Sequence, residues 1–377
     1  MKLVIEGWRH TLHSFCVVNH FHLLELARRP DILVHHRDRP YYGASWRPMA
    51  GLFSTAEEAI LNAVHPPPEG FAADVCLRLA IPYDFSPTDA RRLVVFATSD
   101  AGQFPADMIV GGRLLAEAHR DSGALIITPS SWSKAGLAAA GADPERVAVV
   151  PHGVDTDRFR PADPDYRRRA RQVLGWEGKF VFLNVGAMSG NKGIYHIGRT
   201  LAALVPEHPD ILLFLKGADH TYRSQEGLQE SLSVLTPAER ARLDGRILYN
   251  GGPVPFADMA MLYRAADAYI APYSAEGFNM PVLEAMACGL PVICTGGGPT
   301  DDFLHPEAAL RIDSRVQRLP DGGRVLLIDP GHLTALTARA IEDAAWRERA
   351  ASVGPAWVAE RYSWARVVDR LLEACRL

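Results

Sequence analysis

The chain has 377 residues, long for one hydrophobic core, and a length near 150 per domain sets an expectation of about two or three domains. Charged residues make up 22% and hydrophobic ones 48%, ordinary globular values that exclude a disordered or fibrous chain. The net charge of −4 gives no electrostatic case for nucleic acid as a partner, and runs such as Arg167-Arg168-Arg169 read as solvated faces.

No run approaches the roughly 20 apolar residues that span a bilayer. The start, Lys2-Leu3-Val4-Ile5-Glu6, enters a strand directly and does not read as a signal peptide. Five cysteines (Cys16, Cys76, Cys288, Cys294, Cys375) are odd in number and show no C-x-x-C spacing. Reduced core thiols in a cytoplasmic protein are expected, with peripheral membrane contact left open.

Leu3-Val4-Ile5 reads as the first strand. Ser14 is the expected cap of a helix whose apolar positions Val17, Phe21, Leu24 and Ala27 follow helical spacing. Between them lie Gly7, Trp8, Arg9, His10 and His13. Loops at the carboxyl ends of strands face the ligand crevice of an α/β sheet, so His10 and Arg9 are candidates for acceptor or phosphate contact. A strand follows at 31–34, and the irregular stretch 36–53 suits an acceptor-side loop or plain connection. Strands are expected at 75–79, 93–97, 125–128 and 147–150, with a helix from Ser130 or Ser131 to about Ala140, stopped by Gly141. This alternation indicates a doubly wound parallel sheet. The Pro- and Arg-rich run 160–171 reads as an interdomain linker.

Residues 180–185 open a second sheet, continued by strands at 211–215 and 247–249. Ala268-Tyr269-Ile270-Ala271 and Val292-Ile293-Cys294-Thr295 are two further strands. Between them Asn279 is the expected N-cap of a short helix, with Pro281 in its first turn and Gly289 as its stop. Gly277, Phe278 and Asn279 would present backbone N–H groups to an anion at that helix N-terminus. Glu276 and Glu284 bracket the spot with seven residues between them. Carboxylates repel phosphate but accept well from sugar hydroxyls, so the pattern suits a nucleotide-sugar.

The run from Glu276 to Ile293 resembles the E-x7-E signature of retaining glycosyltransferases of family four. The resemblance implies the GT-B fold: two Rossmann-like doubly wound parallel-sheet domains facing a cleft, with a C-terminal helix crossing back to the first. It implies that Glu276 contacts the donor sugar, that Glu284 contacts the donor ribose, and that the N–H groups of Gly277 to Asn279 meet the diphosphate. Pro151-His152-Gly153-Val154-Asp155 resembles the segment leading out of the family's first domain. That match accounts for the D-x-D triplet Asp155-Thr156-Asp157 without a metal. Gly186 to Gly193 resembles the family's G-R-x-x-x-x-K-G loop, with Lys192 in the place of the phosphate-contacting lysine. An ammonium there could stabilise the leaving diphosphate. Ala187 departs from the pattern where many relatives carry Arg, and Lys216 or Arg9 are the candidates to supply the missing charge. Val254 takes the place of a base-holding residue, and Tyr362-Ser363-Trp364 leads into a helix like the family's terminal one.

The domains expected are 1–160 for the acceptor, 161–355 for the donor, and 356–377 for the returning helix. The function implied is metal-independent, cofactor-free, retaining sugar transfer from a nucleotide-diphosphate sugar to a polysaccharide, lipid or small-molecule acceptor. A sugar-nucleotide-binding or scaffold protein with little turnover is the alternative, supported by Ala187. A dinucleotide oxidoreductase would need G-x-G-x-x-G after a first strand, and neither half has it.

Overall fold

The protein is described from a computed structural model that covers residues 1–376. Two compact units divide the chain. The first holds 1–153, 320–323 and the described residues from 364 on, the second 154–319 and 324–363.

The first unit is built on six parallel strands: β1 (Lys2–Gly7), β2 (Leu33–Asp38), β3 (Val75–Leu79), β4 (Arg92–Phe96), β5 (Leu125–Thr128) and β6 (Val147–Val149). They lie in the order β2-β1-β3-β4-β5-β6, so the winding reverses between β1 and β3. The second strand begins two residues later than expected and runs through His36, which shortens the irregular stretch that follows it. Four helices flank the strands: α1 (Ser14–Ala27), α2 (Thr55–Ala63), α3 (Leu115–Ser122) and α4 (Ser131–Ala139). The cap of α1 is His13, whose Nδ1 accepts from the Phe15 N–H at 3.2 Å; Ser14 is already helical, a correction to the expected cap.

The closing helix, Trp364–Arg376, packs on α1. Trp364 stacks on Phe21 with ring centroids 5.0 Å apart, and Arg29 pairs with Asp369 at 2.7 Å. Its apolar side (Val367, Val368, Leu371, Leu372) is buried. That contact explains the glycine of the segment after β6, because a Cβ on Gly153 would lie 2.7 Å from the Trp364 ring.

In the second unit the strands are β7 (Phe180–Val185), β8 (Ile211–Lys216), β9 (Ile247–Asn250), β10 (Ala268–Ala271), β11 (Val292–Thr295) and β12 (Ala309–Ile312). Their order is β12-β11-β10-β7-β8-β9, all parallel, which is the two-halved Rossmann order with its reversal between β7 and β10. A two-stranded antiparallel hairpin, β13 (Ser314–Arg318) and β14 (Arg324–Ile328), was not legible from the alternating pattern. The helices are α5 (Pro164–Leu174), α6 (Ile194–Leu204), α7 (Ser224–Ser233), α8 (Pro237–Leu243), α9 (Phe256–Ala265), α10 (Met280–Ala287), α11 (Pro330–Glu342) and α12 (Ala344–Tyr362); the closing helix is α13.

Helix α5 corrects the linker reading. Asp163 caps it and Gly175 ends it in the left-handed region. Its arginines are not all solvated either. Arg167 and Arg171 both reach Asp267 and donate to the last carbonyls of α9, at Arg264, Ala265 and Ala266. Guanidinium groups there satisfy orphan carbonyls and complement the negative end of the helix dipole.

All five cysteines are buried and free of disulfides. No helix among the described residues is long and apolar enough to cross a membrane.

Candidate donor site of the second unit

Ligands of doubly wound sheets sit outside the carboxyl ends of the strands where the winding reverses. In the second unit that point lies between β7 and β10, and the loops leaving these strands carry the residues singled out from the sequence. Gly186 follows β7; Glu276, Gly277, Phe278 and Asn279 follow β10.

The two loops are fastened to each other by backbone and amide bonds. Ser274 N–H donates to the Asn191 carbonyl and Asn191 Nδ2 donates to the Ala275 carbonyl, both at 2.8 Å. Gly193, at φ +69°, turns the chain into α6, and a Cβ there would fall 2.0 Å from the Pro272 carbonyl oxygen. Only glycine fits that position. So fixed, the Lys192 ammonium donates to Glu276 Oε1, although 84 residues separate the two. The Lys192 stem runs past Gly186, where a Cβ would meet its Cε at 3.5 Å. Glu276 is 7% exposed and the Lys192 side chain 21%, so this is a partly desolvated ion pair.

Phe278 is anchored in the core against Phe303, ring centroids 4.7 Å apart, which pins the turn into α10. Asn279 stands at the N-cap position but corrects the capping expectation. It adopts φ +76°, its side chain makes no cap hydrogen bond, and its role is to take the left-handed turn that Asn tolerates.

Glu284, on α10, has one oxygen engaged: the Tyr263 hydroxyl donates to Oε2 at 2.6 Å. Burial raises its carboxyl to about 7, against the lowering effect of that hydrogen bond. Lys216, at the end of β8, is 4% exposed, and its ammonium donates to the carbonyls of Gly217 (2.5 Å) and Gly252 (2.7 Å). Burial lowers it to about 8, with Asp219 opposing. It therefore fastens the loop that carries Val254, which is half-buried after β9.

Arg9 and His10 lie in the first unit, in the loop after β1. Arg9 donates through Nε and Nη2 to Asp38 (2.9 and 2.6 Å) and through Nη1 to the carbonyls of Leu61 and Val64. His10 sits at φ +65° with its N–H donating to His20 Nε2 at 2.9 Å. The loops after β7 and β10 thus bring Gly186 and Lys192 together with Glu276, while Glu284 is held by Tyr263, Lys216 and Val254 follow β8 and β9, and Arg9 is engaged as a clamp within its own unit.

Asp155 of the D-x-D triplet is engaged locally. It accepts from the N–H groups of Asp157 and Arg158 and pairs with the Arg158 guanidinium at 2.5 Å. No group of three or more His, Cys, Asp or Glu suited to a metal ion occurs among the described residues.

Two residues of the site escaped the sequence reading. Asn191 stands inside the recognised loop, and its amide ties that loop to the next one. Tyr263 sits five residues before β10 in Met261-Leu262-Tyr263-Arg264, where it passes for a core aromatic.

Two Rossmann-like units, each with a six-stranded parallel sheet, define the class as GT-B. The Anabaena protein HepE, solved in complex with UDP, has this fold: TM-score 0.69 and 18% identity, covering 100% of both chains. WaaG, a glycosyltransferase involved in lipopolysaccharide biosynthesis, gives 0.65 and 18% over 98% of each chain.

Residues 167–343 match the family model described as glycosyl transferases group 1. D-inositol 3-phosphate glycosyltransferase 1 of Catenulispora acidiphila is 30% identical over 290 residues, 75% of this chain and 63% of that protein. O-antigen chain mannosyltransferase B of Escherichia coli is 30% identical over 269 residues, 68% of this chain and 61% of that one. The chain thus spans less than two thirds of the length of these relatives. The resemblance to family-four glycosyltransferases drawn from the sequence is borne out by these matches.

Proposed function

We propose that the chain transfers a sugar from a nucleotide-diphosphate sugar to an acceptor hydroxyl, with retention at the anomeric carbon and without a metal ion or cofactor. The observation that carries this reading is the Lys192–Glu276 pair, held beside Gly186 where the second sheet reverses. Neither partner needs the other once a donor arrives. The diphosphate offers the ammonium an anion, and the hexose offers the carboxylate hydroxyl donors, so one ligand can replace both halves of a partly desolvated ion pair. The UDP and UDP-glucose complexes of the structural neighbour HepE support a nucleotide-sugar as donor.

In the proposed step the acceptor oxygen attacks the anomeric carbon from the face the leaving group departs. The bond from that carbon to the phosphate oxygen breaks, and the acceptor proton passes to the departing phosphate. Lys192 and the backbone at the start of α10 would hold the charge that grows there, and Glu284 would hold the ribose. The buried, unpaired thiols support a reducing compartment such as the cytoplasm.

A sugar-nucleotide-binding protein with little turnover is the second reading, favoured by Ala187, where one cationic side chain fewer faces the diphosphate. The two separate on a panel of nucleotide-sugars incubated with the protein in EDTA. Slow donor hydrolysis that survives chelation is expected. Activity abolished by EDTA and restored by magnesium or manganese would overturn the metal-free mechanism. Tight nucleotide binding with no hydrolysis of any donor would favour the binding protein.

A further inference from the structure

Glu284 is an unusual acceptor. Its Oε2 accepts from the Tyr263 hydroxyl at 2.6 Å, and Oε1 accepts no hydrogen bond from any described residue. Oε1 is not among the sealed, unsatisfied polar atoms of the structure, so it keeps some accessible surface. A carboxyl in a desolvated position can rotate about its last bond and present either oxygen or neither; something must hold it.

Tyr263 is placed to do so. It is 1% exposed, its ring stacks on Tyr269 with centroids 5.9 Å apart, and Phe159 meets it edge-on at 5.6 Å. The ring cannot swing away, and its hydroxyl has Glu284 as partner. Tyr269 is fixed in turn, since its hydroxyl bonds the Val185 backbone at the end of β7. A chain of packed side chains therefore runs from the β7 terminus to the carboxylate on α10.

We propose that Tyr263 is a positioning residue for nucleotide binding: it locks one oxygen of Glu284 so that the other is presented to a ribose diol. The proposal rests on the reading of Glu284 as the ribose-binding group. A phenol donating to one oxygen also favours the charged carboxylate, the better acceptor for two hydroxyls. The ionisable groups around Glu284 are Tyr263 of α9, Tyr269 of β10 and Cys288, the C-cap of its own helix. All three are raised well above their usual values by burial, so none brings a charge near neutrality.

The sign of the pH effect follows. Nucleotide binding that uses the carboxylate strengthens as pH rises through the Glu284 transition near 7. Removing the Tyr263 hydroxyl takes away the bond that favours the charged form, so the transition moves to higher pH.

The test is calorimetric titration of UDP and GDP, each from pH 5.5 to 8.5, into wild type, Tyr263→Phe, Glu284→Gln and the double variant, with melting temperatures as a fold control. The terminal phosphate titrates in the same range, and Glu284→Gln removes only the glutamate's share of the profile. Tyr263→Phe is expected to weaken the better nucleotide about 5- to 10-fold at pH 7 and to shift its profile upward. In the Glu284→Gln background the same change should do neither. Equal losses in both backgrounds, or an unshifted profile, would overturn the positioning role. If Glu284→Gln leaves nucleotide affinity unchanged, the ribose reading itself fails, a result distinct from failure of Tyr263 alone.

Discussion

Lys192→Ala is expected to lower turnover by roughly 10²–10³-fold, the loss typical of one donor to a transition-state charge. Lys192 is the one cationic side chain of the Gly186–Gly193 loop, because Ala187 supplies no charge. Lys216, a candidate for the missing charge, is bound to two backbone carbonyls. The change also removes the ammonium from Glu276, and breaking a partly desolvated ion pair from one side costs more than removing both partners. Thermal stability should therefore fall in Lys192→Ala and recover in part when Glu276→Gln is added, while turnover stays low in both. That split separates lost transition-state stabilisation from a weakened fold. A near-wild-type Lys192→Ala enzyme would mean that the diphosphate is held elsewhere.

The second large effect is acid sensitivity of the first unit. His20, His22, His36 and His152 are between 0% and 7% exposed. Burial lowers His22 to about 4 and the other three to about 3, aided at His20 and His36 by Arg9 and the neighbouring imidazoles. In the unfolded chain each titrates near 6.5. The folded values lie below the unfolded ones, so the unfolded state binds more protons in between. Stability is complete above about pH 6.5 and is lost as pH falls toward 3. At pH 5 each of these histidines lowers stability by on the order of 2 kcal/mol or less, and all four act in the same direction. Asp38, 3.5 Å from His36, reduces the loss at that position. Hydrogen exchange followed by mass spectrometry from pH 7.5 to 4.5 should show protection vanishing first in β1, α1 and β2. Loss of protection in the second unit before the first, or no loss by pH 4.5, would contradict this.

Most strands of both sheets were legible because each is a short apolar run bounded by polar or turn residues, as at Phe180–Val185 and Val292–Thr295; β2 was placed too early and β12 was not singled out. The candidate loop Gly186–Gly193 stood out because glycines and a charge stand in a fixed pattern along the chain. Three things were hidden for identifiable reasons. Helix α5 passed for a linker because its sequence, with Pro at the start and four arginines, buries one residue, Ala170, and gains its hold through ion pairs with distant Asp267. The cap of α1 was misplaced by one residue because Ser is the commoner cap and His13 fills the position with an imidazole nitrogen. The pairing of Lys192 with Glu276, and of Tyr263 with Glu284, joins loops and helices that sequence separation says nothing about. Residue types singled out the candidate residues; their pairing required the fold.

The central claim is that one nucleotide-sugar lies with its hexose at Glu276 and its ribose at Glu284. Measuring nucleoside diphosphate affinity in Glu276→Gln and Glu284→Gln, beside donor turnover in each, tests it most directly. A nucleoside diphosphate has the ribose and lacks the hexose. Its binding should weaken in Glu284→Gln by about 1.5–3 kcal/mol, the value of a charged hydrogen bond, and change little in Glu276→Gln. Turnover should show the reverse order, because contacts beside the reacting carbon can strengthen in the transition state while a remote ribose contact adds uniform binding. Diphosphate binding that weakens with Glu276→Gln and not with Glu284→Gln would reverse the two ends, and indifference of both variants would remove the donor from this site.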